Sequence, residues 1–385
     1  MAASLKTILK SYIKKAFYHL PIQKNKIVFV NYDFKGYGDN LKYIAEEIKR
    51  QGLPCKLIWL VRDDYDIPCY IKKVYYLRGV AWFYELSTAG IIISNIKNQV
   101  YCNYKKRENQ YYLQTWHGGF PLKFIEKEVE DTLSPSYVAA SKADSAVTNA
   151  IVSGNELFSK ILKESFWLPE HCVILEYGSP RNDFYFKGDD YRSKLKLQYG
   201  FSMEDIVILY APTFRDNHDF SCYNLDFERL RQFLCNTYGK RVRIIVRLHP
   251  NVYDLADNIS YNDGIINGTV CADQQELCMI SDCMITDYSG MMADFMLMKK
   301  PVFLYVPDLD NYSDRTTGRG LRDMYYKLPS SLNKTQEELE SCMSAFDKVK
   351  FGKELNRFVQ EYYRFFDDGH ASEKVVNHLR KVMKM

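Results

Sequence analysis

The chain has 385 residues, 46% of them apolar and 26% charged, with a formal net charge of +4. That length allows two domains of ordinary size, and the apolar content, without any low-complexity tract, excludes a largely disordered chain. The near-balance of charge argues against nucleic acid as a partner.

The ten cysteines are scattered, with no CxxC pair and no zinc spacing, and several stand in apolar runs. They read as reduced thiols of a cytosolic protein. No uncharged run reaches the roughly 18 residues of a membrane span, and the basic start lacks the apolar core of a signal peptide.

In residues 1–20, Leu5, Ile8, Leu9, Tyr12, Ile13, Ala16, Phe17 and Leu20 recur at helical spacing between Lys6, Lys10, Lys14 and Lys15, and Pro21 ends the pattern. A basic amphipathic helix of this kind suits an anionic membrane surface, and it equally suits packing on the protein's own sheet. From Lys26 the pattern becomes α/β. Strands are predicted at Ile27 to Asn31, Lys56 to Val61, Val74 to Leu77, Gly90 to Ser94, Tyr111 to Thr115 and Val173 to Glu176. Helices are predicted at Asp39 to Gln51, Val80 to Ser87 and Phe158 to Ser165, while residues 141–154 read as small and polar.

A second run starts over, with a helix at Tyr191 to Tyr199 and strands at Ile206 to Tyr210 and Arg243 to Arg247. Helices at Phe227 to Tyr238 and Gln274 to Ile280 lie between and after them. The stretch from Met284 to Tyr305 then reads as strand, polar turn, helix and strand: one βαβ unit. Ser289 is expected to cap its helix, leaving the N–H groups of about residues 290–292 as an anion site. A charged, glycine-rich loop from Asp308 to Pro329 precedes a helical tail, 335–385, broken at 366–370. Strands alternating with helices predict two parallel-sheet domains joined near residue 185, with their carboxyl-edge loops across a ligand cleft.

His117 follows one strand and precedes Gly118-Gly119, and His249 follows another in RLHP. Two histidines at strand ends suit acid–base or phosphate chemistry near neutral pH. His19, His171, His218, His370 and His378 lack such a setting. Arg215, Arg247, Arg315, Arg319 and Arg322 gather in exit loops on the edge that carries Ser289, which favours a phosphate-rich ligand. There is no Walker A sequence and no carboxylate set spaced for a metal cage, so neither metal nor cofactor is expected.

QTWHGGFPLKFIEKE, LYAPTFRD, RLHPN, TDYSGMMADFMLMKKPVFLY, RTTGRGLRDM and FFDDGHASEKVV, in this order, resemble the CDP-glycerol glycerophosphotransferase family of teichoic-acid and capsule synthesis. The resemblance runs from about residue 27 to 380. It implies the GT-B architecture of two Rossmann-like domains, an acceptor domain at 24–184 and a CDP-polyol donor domain at 185–385, after the amphipathic pattern at 1–23 that reads as a membrane-proximal helix. It implies transfer of glycerol phosphate from CDP-glycerol, or ribitol phosphate from CDP-ribitol, to an undecaprenyl-linked glycan or growing chain at the cytoplasmic face of a bacterial membrane.

By the same resemblance His117 is the base on the acceptor hydroxyl and His249 holds the transferring phosphate. Thr213, Arg215, Arg247, Asp287, Ser289, Gly290, Arg319 and Asp323 belong to the donor side, and Gly118, Gly119 and Lys123 to the acceptor side. Without the long N-terminal extension of some polymerases, the chain resembles a short primase or capsule-type transferase. A nucleotide-sugar GT-B transferase shares the predicted fold, and a non-catalytic membrane-bound scaffold would leave both histidines without a role.

Overall fold

The computed structural model describes residues 12–102, 104–215, 223–249, 252, 256–313 and 320–385. The first unit contains, in chain order, β1 (Gln23–Val30), α1 (Asp39–Arg50), β2 (Lys56–Val61), β3 (Lys72–Tyr75), α2 (Ala81–Thr88), β4 (Ala89–Ser94) and β5 (Tyr111–Gln114). It continues with α3 (Pro135–Ser145), β6 (Ala150–Ser153), α4 (Glu156–Ser165) and β7 (Val173–Glu176). The strands form one parallel sheet in the order β3-β2-β1-β4-β5-β6-β7.

Side chains of β1 alternate between two covered faces. Ile27 and Phe29 pack with Leu41, Ile44 and Ile48 of α1, whereas Val28 and Val30 pack with Trp82, Phe83 and Leu86 of α2. A strand buried on both sides needs apolar residues at every position, which is why KIVFV and IIIS were legible as unbroken runs. The α3–β6 pair was not predicted. AIVS is wholly buried but only four residues long, and α3 has no marked apolar stripe; its start is set by the Ser134 hydroxyl, which accepts from the Tyr137 N–H, and by Pro135.

Of the predicted N-terminal helix, residues 12–17 are helical and residues 1–11 lie outside the described residues. The described end packs on its own unit. Lys14 Nζ stands 4.6 Å from the Trp82 ring centroid, Phe17 meets Tyr84 edge-on, and Tyr18 stacks on Tyr104.

The second unit holds α5 (Asp189–Gln198), β8 (Ile206–Tyr210), α6 (Phe227–Tyr238), β9 (Val242–Val246), β10 (Ile265–Asn267), α7 (Gln274–Ile280) and β11 (Cys283–Thr286). Then come α8 (Met292–Leu297), β12 (Val302–Tyr305), β13 (Leu332–Asn333), α9 (Gln336–Ser344) and α10 (Lys348–Phe358). Its sheet is again parallel, in the order β10-β9-β8-β11-β12-β13. The outermost strands, of three and two residues, are too short to show a period in sequence. Two Rossmann-like parallel-sheet units are thus present, as predicted.

The division between them needs one correction. The units part between Asp183 and Phe184, close to the predicted junction, but Phe120–Ile125 belongs to the second unit and Phe366–Met385 to the first. The last helix, α11 (Ala371–Met383), was expected with the donor domain. Its apolar stripe, Val375, Val376, Leu379 and Met383, instead completes the cluster built on Ile27, Phe29 and α1. Periodicity identifies a helix's apolar face but not the sheet that it covers.

Leu379 is fully buried there, and all four tryptophans (Trp59, Trp82, Trp116 and Trp167) lie in the first unit. Leu379→Ala should therefore lower the stability reported by tryptophan fluorescence in urea by about 2–5 kcal/mol. An unmoved fluorescence midpoint would mean that α11 adds nothing to the first unit.

Candidate active site

In the first unit β5 runs out into Thr115, Trp116 and His117 at the carboxyl edge of the sheet. Trp116 has φ = 53°, a conformation that costs a non-glycine residue on the order of 1–3 kcal/mol and persists only where its surroundings enforce it. Its N–H donates to Gln114 Oε1 at 2.9 Å, and its carbonyl accepts from Asn40 Nδ2 at 3.3 Å.

The His117 ring stacks on Trp116, with centroids 4.6 Å apart, and meets the Tyr32 edge at 5.0 Å. Nδ1 lies 2.8 Å from the Asn95 carbonyl oxygen. A carbonyl only accepts, so Nδ1 carries the proton and the neutral ring has its lone pair on Nε2. His117 is exposed, yet the protein around it pushes the imidazole pKa below its ordinary value; the Asn95 carbonyl and then Asp39 oppose that, and Arg181 reinforces it. A neutral imidazole with an available Nε2 is the state a general base requires.

After His117 the backbone is bare. A Cβ at Gly118 would come no closer than 3.6 Å to its neighbours, and one at Gly119 no closer than 3.8 Å, so packing requires glycine at neither position.

In the second unit, the exits of β8, β9 and β11 share the carboxyl edge. Asp287 is buried and its Oδ1 accepts from the Thr213 N–H at 2.8 Å. Arg215 donates through Nη2 to Asp287 Oδ2 at 2.9 Å, through Nε to Asp308 Oδ2 at 2.7 Å and through Nη1 to the Thr213 carbonyl at 2.6 Å. Tyr288 donates to Asp308 at 3.0 Å and stacks on Tyr312, 3.8 Å between centroids. Arg247 donates through Nη1 to the carbonyls of Gly268 and Cys271, at 2.9 and 2.8 Å. His249 lies against the Phe214 ring at 4.4 Å.

The predicted donor residues thus separate into two groups. Arg215, Arg247 and Asp287 brace the loops, each engaged with neighbouring backbone or charge. Thr213 keeps a buried hydroxyl without a hydrogen-bond partner among the described residues, and Asp323 is exposed. Arg315 and Arg319 lie outside the described residues.

The expected anion site at residues 290–292 is reduced. The Met291 N–H donates to Ser289 Oγ and the Met292 N–H to the Ser289 carbonyl, both at 3.3 Å, so Ser289 caps a preceding turn and α8 starts only at Met292. A Cβ on Gly290 would stand 3.3 Å from the Phe120 carbonyl oxygen.

Lys123, expected on the acceptor side, is in the segment 120–125 of the second unit. It bridges to Leu321, and its Nζ lies 5.5 Å from the Tyr312 ring centroid. The Arg322 N–H and Nε hold that segment through the carbonyls of Leu122 and Pro121, both at 2.9 Å.

Sequence reasoning missed Asp308, Asp39, Asn95 and Arg181. Asp39 opens α1 directly after Gly36-Tyr37-Gly38, and Arg181 follows β7 in the pattern seen at Arg215; for Asn95 and Arg181 the place after a strand was the available signal, whereas the two carboxylates carried none. Among the described residues no group of three or more His, Cys, Asp or Glu is placed to hold a metal ion.

Residues 12–381 match the family described as CDP-glycerol:poly(glycerophosphate) glycerophosphotransferase. A teichoic acid glycerol-phosphate transferase of Staphylococcus aureus is 30% identical, over 91% of this chain and 92% of that protein. A teichoic acid poly(glycerol phosphate) polymerase of Staphylococcus epidermidis is also 30% identical, over 94% of this chain. The chain spans 51% of that protein's length. The solved wall teichoic acid polymerase TagF superposes with a TM-score of 0.83 at 26% identity, over 98% of this chain and 97% of that one. A motif order read from the sequence, a two-sheet fold and near-complete coverage by glycerol-phosphate transferases agree: the chain belongs to the CDP-glycerol:poly(glycerophosphate) glycerophosphotransferase family.

Proposed function

We propose that this enzyme moves glycerol phosphate from CDP-glycerol to a hydroxyl of a lipid-linked glycan or a growing polyol-phosphate chain, releasing CMP. The observation that carries the reading is the family match over residues 12–381. The tautomer of His117 supports it.

In this mechanism His117 Nε2 takes the acceptor proton as the acceptor oxygen attacks the phosphorus that bears glycerol. The bond from that phosphorus to the bridging oxygen breaks, and CMP leaves with the electron pair. Such a transfer needs alignment and dispersal of charge on the phosphoryl oxygens. We assign the charge term to His249, Arg319 and the Ser289-Gly290 turn, with Thr213 and Asp323 on the remainder of the donor. Arg215, Arg247 and Asp287 hold those loops in register. We assign Gly118, Gly119 and Lys123 to the acceptor. Solved TagF structures include a histidine-to-asparagine variant with CDPG, which makes a CDP-activated donor the first to test here.

CDP-ribitol is the second reading, because a teichoic acid poly(ribitol-phosphate) polymerase of Bacillus spizizenii is 29% identical over 97% of this chain. Competition between the two donors in one reaction separates them. We further infer an undecaprenyl-linked acceptor and attachment to the cytoplasmic membrane surface. Residues 12–18 pack in part on the first unit, so the attachment falls to residues 1–11, exposed Tyr12 and exposed Lys15. No helix among the described residues is long and apolar enough to cross a membrane.

Three outcomes are expected. His117→Ala should keep CDP-glycerol binding and lose roughly 10²–10⁴-fold in turnover; near-normal turnover would remove His117 from the chemistry. His117 must be neutral to accept a proton and its pKa is lowered from 6.5. The acid limb of kcat/KM should therefore lie below that value, and a limb above it would contradict the assignment. Deleting residues 1–11 should release the enzyme from anionic vesicles while leaving transfer to a short-chain soluble acceptor intact. If the truncated enzyme still sediments with the vesicles, the attachment lies elsewhere.

A further inference from the structure

His117, Asn95, Asp39 and Arg181 come from four separate segments of the first unit, yet their hydrogen bonds close a ring. His117 Nδ1 donates to the Asn95 carbonyl at 2.8 Å, and Asn95 Nδ2 donates to Asp39 Oδ2 at 2.6 Å. Arg181 Nη1 then donates to Asp39 Oδ1 at 2.9 Å and to the carbonyl of His117 itself at 3.1 Å. The circuit returns to the residue where it began, gripping His117 by ring and by main chain. Asn40 adds a strap beside it: its Nδ2 donates to the Trp116 carbonyl and its Oδ1 accepts from the Arg181 N–H at 3.1 Å.

The arrangement holds a backbone that would otherwise relax. Asp39 at φ = 56° and Trp116 at φ = 53° are both left-handed, and two such non-glycine residues need constraint from their surroundings. The ion pair is also shielded, with side-chain exposures of 9% for Arg181 and 18% for Asp39, so salt screens it less than a surface pair.

We propose that Asp39 and Arg181 are positioning residues for the transfer reaction, locking His117 in the tautomer and orientation of a base without touching the transferred group. The proposal rests on the reading of His117 as that base. The charged and titratable groups facing the ring are Asp39, Arg181, Glu126 and the Tyr32 phenol. Glu126 is itself neutralised by Lys97 at 2.8 Å and accepts from the Tyr137 hydroxyl at 2.7 Å. Asp39 and Arg181 therefore bias the ring in opposite senses: the carboxylate favours the imidazolium and the guanidinium disfavours it.

The test uses the full-length enzyme with Asp39→Asn and Arg181→Gln, reading kcat, KM for CDP-glycerol and the pH dependence. The His117 ring is also titrated by NMR, its signal identified by loss in His117→Gln. Each variant should lose on the order of 10²-fold in kcat, the scale of a misplaced catalytic group, with KM for CDP-glycerol unchanged. The acid limb and the His117 titration should move to lower pH in Asp39→Asn and to higher pH in Arg181→Gln. A role confined to folding would lower the active fraction and move neither. Wild-type kcat in both variants, or unmoved titrations, overturns the proposal. If Arg181→Gln does not fold, the isosteric Asp39→Asn decides alone by the presence or absence of its downward shift. Should His117→Ala retain turnover, the base assignment itself falls; an inactive His117→Ala beside wild-type-like Asp39 and Arg181 variants removes only the ring's role.

Discussion

A parallel sheet ends all its strands at one edge, and the loops that leave that edge carry backbone groups that the ladder no longer satisfies. Side chains from neighbouring exits supply the partners here. In the first unit Ser94 Oγ donates to the carbonyls of Val30 and Ile96, and Gln114 Nε2 donates to Ile96. In the second, Thr286 Oγ1 donates to the Ala211 carbonyl, and Thr269 Oγ1 accepts from the Leu248 N–H. The polar residues that suggest chemistry in the sequence are therefore crowded at these edges for two reasons, and only some of them are available to a ligand.

Arg215 shows how the two roles are told apart. Its guanidinium is divided between Asp287, Asp308 and the Thr213 carbonyl, and its Cζ lies 4.7 Å from the Tyr312 ring centroid. Removing one partner from a buried ionic group of this kind typically costs 3–5 kcal/mol, because the remaining charge keeps its desolvation penalty. Such a group holds loops together. His117 is the opposite case, with one nitrogen fixed by Asn95 and the residue exposed to solvent.

The fold was legible wherever burial on both faces produced apolar runs, as in KIVFV and VFLYV, and where strands alternated with helices. It was not legible for AIVS, too short for a period, or for the affiliation of α11, which depends on contacts more than 300 residues away, such as Cys55 with Met383, at a separation of 328. At the site, His117 and His249 stood out by their place after strands. Asp308 and Asp39 did not, because a carboxylate announces nothing until its partner is known: Arg215 is 93 residues from Asp308, and Arg181 is 142 from Asp39. Ser289 was expected to cap α8, but the chain makes an extra turn before that helix begins at Met292, and no side chain caps it.

The affiliation of α11 also fixes an order of events during synthesis. The ribosome makes every strand of the first sheet, then all of the second unit but Phe120–Ile125, and only then the helix that covers the face formed by Ile27, Phe29 and α1. The second unit can close its core while the first still has an uncovered apolar face, reversing the usual N-to-C progression of domain folding on the ribosome. A nascent chain halted after residue 365 would carry a finished second unit beside an incomplete first one, with the His117 loop mounted on the incomplete one.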